Sequence, residues 1–108
     1  MRGNRLYLDD IIQGAGDIER FIKGKGESAF LADEILMSAV LQKLIVIGEA
    51  AARVSTTLKQ RSPGVEWEDI IAFRNIAVHA YFAVDWRIVW NAAALDAPDL
   101  KRKVGKIV

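Results

Sequence analysis

The 108-residue chain has no cysteine, a single histidine, two prolines and a formal net charge of only +1. Each shortage removes a class of function. Without cysteine there is neither a disulfide framework nor a thiolate zinc site. One histidine leaves metal binding to carboxylates, and these form no cluster at ligand spacing, so no metal site and no cofactor are expected. With charge so nearly balanced, no global field draws the chain to nucleic acid, and any anion site has to be local. The start, Met1 to Arg5, is basic but reaches Asp9 and Asp10 before any signal-like apolar run. No apolar segment is expected to be long enough to cross a bilayer. The expectation is a reduced, soluble, cytoplasmic protein with no membrane partner.

Apolar residues make up 52% of the chain, with three tryptophans. That suits one domain over residues 1–108, small enough to shelter some apolar surface against another copy of itself. Leu8, Ile11, Ile12, Ala15, Ile18 and Ile22 follow helical spacing and predict a first helix from about Leu6 to Ile22. Gly14 and Gly16 weaken it and mark a place where another helix can approach. A short ambiguous segment through Phe30 and Leu31 follows. The longest helix is expected from about Asp33 to Leu58, on a heptad seam of Met37, Val40, Leu44, Ile47, Ala51, Val54 and Leu58. A second stripe, Leu41, Ile45, Gly48 and Ala52, is assigned to a dimer seam. Glu49 stands four residues before Arg53, the spacing of a surface ion pair.

After Arg61-Ser62-Pro63-Gly64, a third helix is expected from Trp67 to around Tyr81–Val84. Its core stripe is Ile70, Phe73, Ala77 and Ala80, beside a second stripe of Trp67, Ile71, Arg74, Val78 and Tyr81. Asp85 is read as the N-cap of a fourth helix driven by Trp86, Ile88, Val89 and Trp90. Asp96 is read as the cap of a fifth, with Pro98 in its first turn. The basic run Lys101, Arg102, Lys103 and Lys106 is read as a solvated face. The fold class expected is all-α, a four- to five-helix up-and-down bundle.

Chemistry concentrates in Arg74-Asn75-Ile76-Ala77-Val78-His79-Ala80-Tyr81, which holds the only histidine. Seven residues separate Arg74 from Tyr81, so a continuous helix puts them on one face. A guanidinium in an apolar run needs an anion to meet it. Asn75 precedes His79 by one turn and can fix its ring by a hydrogen bond. Arginine and histidine without a metal or a Ser or Cys nucleophile suit phosphodiester chemistry on RNA, whose 2′-hydroxyl is its own nucleophile. His79 would move the proton and Arg74 would stabilise charge on the phosphorane. The residue types alone equally allow a hydrogen-bonded structural histidine, a snorkelling arginine and a packing tyrosine.

The sequence as a whole resembles the HEPN superfamily, in its HepT-like branch. The resemblance rests on Leu8-Asp9-Asp10-Ile11-Ile12, Ile47-Gly48-Glu49-Ala50-Ala51, and Trp67-Glu68-Asp69-Ile70-Ile71 ahead of Arg74-Asn75. It extends through a complete Rx4HxY motif at Arg74, His79 and Tyr81, then Phe82-Ala83-Val84-Asp85 and Val89-Trp90. Ala97 before Pro98 departs from the family's bulkier residue there. The resemblance implies a homodimeric bundle with both motifs facing a shared cleft. It implies a metal-independent endoribonuclease toxin in which Arg74 and His79 cleave RNA. It also implies an antitoxin partner, an MntA-like minimal nucleotidyltransferase that transfers AMP to Tyr81. The alternative kept beside it is a non-catalytic, nucleotide- or partner-binding subunit of a nucleotidyltransferase complex.

Overall fold

Leu8, Ile11, Ala15 and Ile18, spaced at three and four residues, are the side chains that the first helix buries. In the computed structural model, which describes residues 3–108, that helix (α1) runs Asn4–Ile22. After it come α2 (Glu27–Leu31), α3 (Glu34–Arg53), α4 (Thr56–Arg61), α5 (Trp67–His79), α6 (Trp86–Asn91) and α7 (Ala97–Gly105). Among the described residues there is no strand. The all-α expectation holds. Helix α3 is the centre: α1 packs along one side of it and α5 along another, while α7 closes on α1.

The long helix stops earlier than its apolar seam suggests. Val54 and Ser55 leave helical geometry, at ψ 140° and 150°. Serine competes for backbone groups and favours caps over helix interiors. Here the Ser55 hydroxyl accepts from Leu58 N at 3.2 Å and so starts α4. The Ser55 N–H, lost to the helix, donates to Asn4 Oδ1, and Asn4 Nδ2 donates back to Ser55 Oγ, both at 2.9 Å. The N-terminus of α1 thus pins the break. Val54 stays buried and Leu58 stays partly buried, which is why the seam read as continuous.

A second correction concerns membranes. Helix α3, with 20 residues and a mean hydropathy of 1.7, is long and apolar enough to cross a bilayer by length and composition. It is instead the core helix. Its Lys43 and Glu49 reach Asp17 of α1 and Arg74 of α5, and Val40, Ile47 and Ala51 are buried in the chain's own core.

The third correction is at Asp96, which caps nothing. It is helical (φ −77°, ψ −39°) and makes no side-chain capping bond. The chain runs from α6 to α7 through a π-turn at Ala92–Asp96, with Ala97 N bonded to Ala92 O. Pro98 has no N–H, and in a regular α-helix its ring would strike the carbonyl four residues back. The wider π-turn relieves that conflict and keeps the helix going. The basic run of α7 is also more than a solvated face. Lys101 Nζ meets Glu19 at 3.1 Å, tying α7 to α1, and Lys103 Nζ meets Asp99 at 2.9 Å.

One charge is buried between α1 and α3. Asp17, with 7% of its side chain exposed, accepts from Arg20, from Lys43 Nζ at 3.1 Å and from Gln13 Nε2 at 3.0 Å. Arg20 first and Lys43 second hold its carboxyl at about 2, against an ordinary 3.8. A depressed folded-state pKa means stability that is fully present above 3.8 and lost as pH falls towards 2. Asp17→Asn is therefore expected to lower stability at neutral pH by about 1.5–3 kcal/mol, the range for hydrogen bonds to charged groups. It should also flatten the acid limb of the urea midpoint through that window; a wild-type and variant difference that stays constant with pH would contradict the assignment.

Candidate functional site

Gly48 decides where α5 sits. A Cβ there would lie 2.3 Å from Arg74 Cβ, 2.7 Å from Arg74 Cγ and 3.3 Å from the Ile70 carbonyl oxygen. Only a glycine lets the two helices approach so closely, and the residue it admits is the motif arginine. Gly48 and Leu41 are thus buried within the chain, so this part of the stripe assigned to a dimer seam already has an occupant. In α1, Gly14 does face α3 closely, at Ile47, whereas Gly16 meets the side chain of Lys101.

Arg74 lies mostly buried between α3 and α5, with 18% of its side chain exposed. Its Nη1 is 3.4 Å from Glu49 Oε1. That replaces the expected Glu49–Arg53 pair: Glu49 turns towards α5, and Arg53 stays exposed. Arg74 Nε is buried with no acceptor among the described protein groups. With Nε buried, only the exposed edge of the guanidinium, now facing Glu49, is open to an incoming anionic oxygen.

His79 is the last residue of α5 and is exposed. Ala80 leaves the helix (φ −138°, ψ 54°), although its N–H still bonds Ile76 O at 2.8 Å. The break comes before Tyr81, which opens a short 3-10 turn, Tyr81–Ala83. Arg74 and Tyr81 therefore do not share a continuous helix face. The Tyr81 ring is half-exposed and stands edge-on to Phe82 (centroids 6.1 Å apart) and Trp86 (6.3 Å). Asp85 caps α6 as expected, its Oδ1 accepting from Arg87 N at 2.9 Å. Asn75 is exposed, and among the described residues neither its side chain nor that of His79 has a hydrogen-bond partner. The Asn75–His79 bond expected from their spacing is not made.

Only Trp67 and Ala77 of α5 are fully buried; Ala80, read as core, is exposed. Ile76, Val78 and Ile88 expose about half of their surface each (47%, 45% and 55%). On the other side of α5, a groove of about 300 Å³ opens towards α6 and α7, lined by Ile70, Phe73, Ile88 and Leu100. Glu66, Asp69 and Asp96 line it too, and it contains none of the motif residues. Asp99 and Lys103, which pair with each other, complete its charged lining. No three His, Asp or Glu side chains gather as metal ligands among the described residues.

Residues 11–107 match the family model described as ribonuclease HepT-like. The chain belongs to that family. Family membership classes it with the ribonucleases and covers all of α3, α5 and the motif between Arg74 and Tyr81. The chain is 34% identical to a Thermococcus cleftensis protein provisionally named ribonuclease HepT, over 98% of this chain and 96% of that one. It is 30% identical to a Methanocaldococcus jannaschii protein provisionally named an RNase, over 95% and 94%. A third relative, from Caldanaerobacter subterraneus and named in the same way, is 30% identical over the whole chain and 96% of its own length. No solved structure matches the chain. Within the HepT-like frame, sequence reasoning missed two residues beside the motif: Glu49 as the arginine's partner, and the fully exposed Phe82.

Proposed function

We propose that this HepT-like chain acts as one domain, a metal-independent endoribonuclease that works as a homodimer. The observation that carries the reading is the pairing of opposites in one motif: a mostly buried guanidinium and an exposed imidazole at an open helix end. In the reaction, the RNA 2′-hydroxyl loses its proton and its oxygen attacks the neighbouring phosphorus. The P–O5′ bond breaks, and the departing O5′ takes up a proton. The products are a 2′,3′-cyclic phosphate and a 5′-hydroxyl. His79 moves a proton at one of these oxygens; an imidazole suits the task because it ordinarily titrates close to neutral pH. Arg74 stabilises the extra negative charge on the non-bridging oxygens and would exchange Glu49 for phosphate as it does so.

Arg74 faces α3 while His79 faces solvent, so a groove shared between two copies is the natural way for both to meet one phosphate. Ile76 and Val78 support this, because they leave apolar surface around the motif for a second copy to cover. Regulation would act on Tyr81. AMP transferred by a nucleotidyltransferase antitoxin to the hydroxyl of the half-exposed Tyr81 would put bulk and negative charge where RNA phosphate must enter. Expression of the chain alone is expected to arrest bacterial growth. Co-expression with a cognate minimal nucleotidyltransferase should restore growth and leave an AMP adduct on Tyr81 in the peptide mass spectrum. Unimpaired growth at high expression would overturn the toxin reading; rescue with Tyr81 unmodified would overturn the regulatory one.

A further inference from the structure

Phe82 is 101% exposed, the most exposed large apolar side chain among the described residues. It is not on a loose tail. Its 3-10 turn is closed by Ala83 N to Ala80 O at 2.8 Å and Val84 N to Tyr81 O at 3.1 Å. The ring is backed edge-on by Tyr81, which is itself edge-on to the partly buried Trp86. The row Phe82, Tyr81, Trp86 therefore runs from open solvent into the core and leaves the outermost ring uncovered. A solvated π-face is costly to leave uncovered and well suited to a flat partner.

Phe82 is three positions past His79, a Cα–Cα reach of at most about 11 Å even if fully extended. That is on the scale of a neighbouring nucleotide when a phosphodiester lies at His79. Arg87, one residue past Trp86, is exposed and has no ion-pair partner among the described residues. An exposed aromatic ring and an unpaired cation five positions on in the sequence are the residue types that grip single-stranded nucleic acid, by stacking on a base and attracting its phosphate. We infer that Phe82 is a base-stacking residue, which holds the nucleobase next to the cleaved bond and restricts the enzyme to unpaired RNA. This rests on the ribonuclease reading above and extends it from chemistry to substrate form. Duplex RNA keeps its bases stacked on one another and offers no free face to the ring.

The test separates stacking from cleavage. A short fluorescent RNA strand with every 2′-oxygen methylated cannot attack its own phosphates, so binding is read alone, by anisotropy. Phe82→Ala is expected to weaken binding by roughly ten- to a hundredfold, the loss for one base–aromatic stack. Phe82→Trp should bind as tightly as the wild type, while Phe82→Leu, apolar but without a π-face, should bind as weakly as Phe82→Ala. A strand of equal charge lacking bases should bind the wild type and Phe82→Ala equally. Full affinity in Phe82→Leu would make Phe82 a hydrophobic contact, between copies if sedimentation also changes with Phe82→Ala, and would overturn the inference. So would unchanged affinity in Phe82→Ala. Cleavage of an all-ribose strand, followed in parallel, keeps the two readings apart. A wild type that binds and never cleaves removes the nuclease and leaves the stacking; one that cleaves with Phe82→Ala unaffected removes only the stacking.

Discussion

His79→Ala is expected to lower the rate of RNA cleavage by about 10²–10⁴, the usual worth of a positioned proton-transfer group. It should do so without unfolding the chain. The side chain is exposed at the last position of α5 and bonds to no described residue, so stability should stay within about 0.5 kcal/mol of the wild type. That separation is the value of the variant. Arg74→Ala would give an ambiguous result, because it empties the α3–α5 junction as well as removing the charge. Initial rates on a labelled RNA strand, set beside urea unfolding of the same preparation, check both halves. A His79→Ala protein that is stable and cleaves at the wild-type rate would take the histidine out of the mechanism.

Gly48→Ala is expected to do harm in two ways at once, against its own helix propensity. In an open helix the change would stabilise by about 1 kcal/mol. Here the new Cβ would overlap Arg74 Cβ at 2.3 Å, and both atoms are fixed to their backbones, so neither can rotate away. The helices must separate. Overpacking of that kind costs about 1–3 kcal/mol and outweighs the propensity gain. Helix α5 packs mainly on α3, so the displacement carries Arg74 with it. A shift near 1 Å at a positioning group costs on the order of 10² in rate. Gly14→Ala is the milder comparison: its Cβ would meet side-chain atoms of the buried Ile47, Cγ1 at 2.9 Å and Cδ1 at 3.4 Å, and no backbone closer than 3.7 Å. Urea midpoints should fall further for Gly48→Ala than for Gly14→Ala. A Gly48→Ala protein that is more stable than the wild type and fully active would mean that the helices do not meet at this point.

Much of the fold could be read from periodicity, because the helices bury the faces that the spacing marks. Leu8, Ile11, Ala15 and Ile18 do so in α1, and Val40, Ile47 and Ala51 in α3. The errors fall where a local polar contact overrides a continuous pattern. The seam through Val54 and Leu58 looked unbroken, and what breaks it is Asn4, fifty-one residues away in sequence, taking the Ser55 backbone N–H. Asp96-Ala97-Pro98 has the composition of a helix start, yet a π-turn carries the helix past the proline. The motif residues were legible, but their partners were not. Glu49 has an arginine at the spacing of a helical ion pair, and only the packing of α5 at Gly48 shows that it pairs with Arg74 instead. Gly48, a lone glycine deep in an apolar helix, was the signal available. The helix end at His79 was missed because the apolar run continues through Ala80 to Phe82, and its consequence is the free aromatic row beside the histidine.

Arg74 and His79 alone are expected to carry the phosphoryl chemistry. The most direct measurement is the structure of the RNA ends left by the purified protein in excess chelator. Cleavage that persists there and yields 2′,3′-cyclic phosphate and 5′-hydroxyl ends is the predicted result. Cleavage that stops with chelator and returns with a divalent metal, or that leaves 5′-phosphate ends, would contradict it.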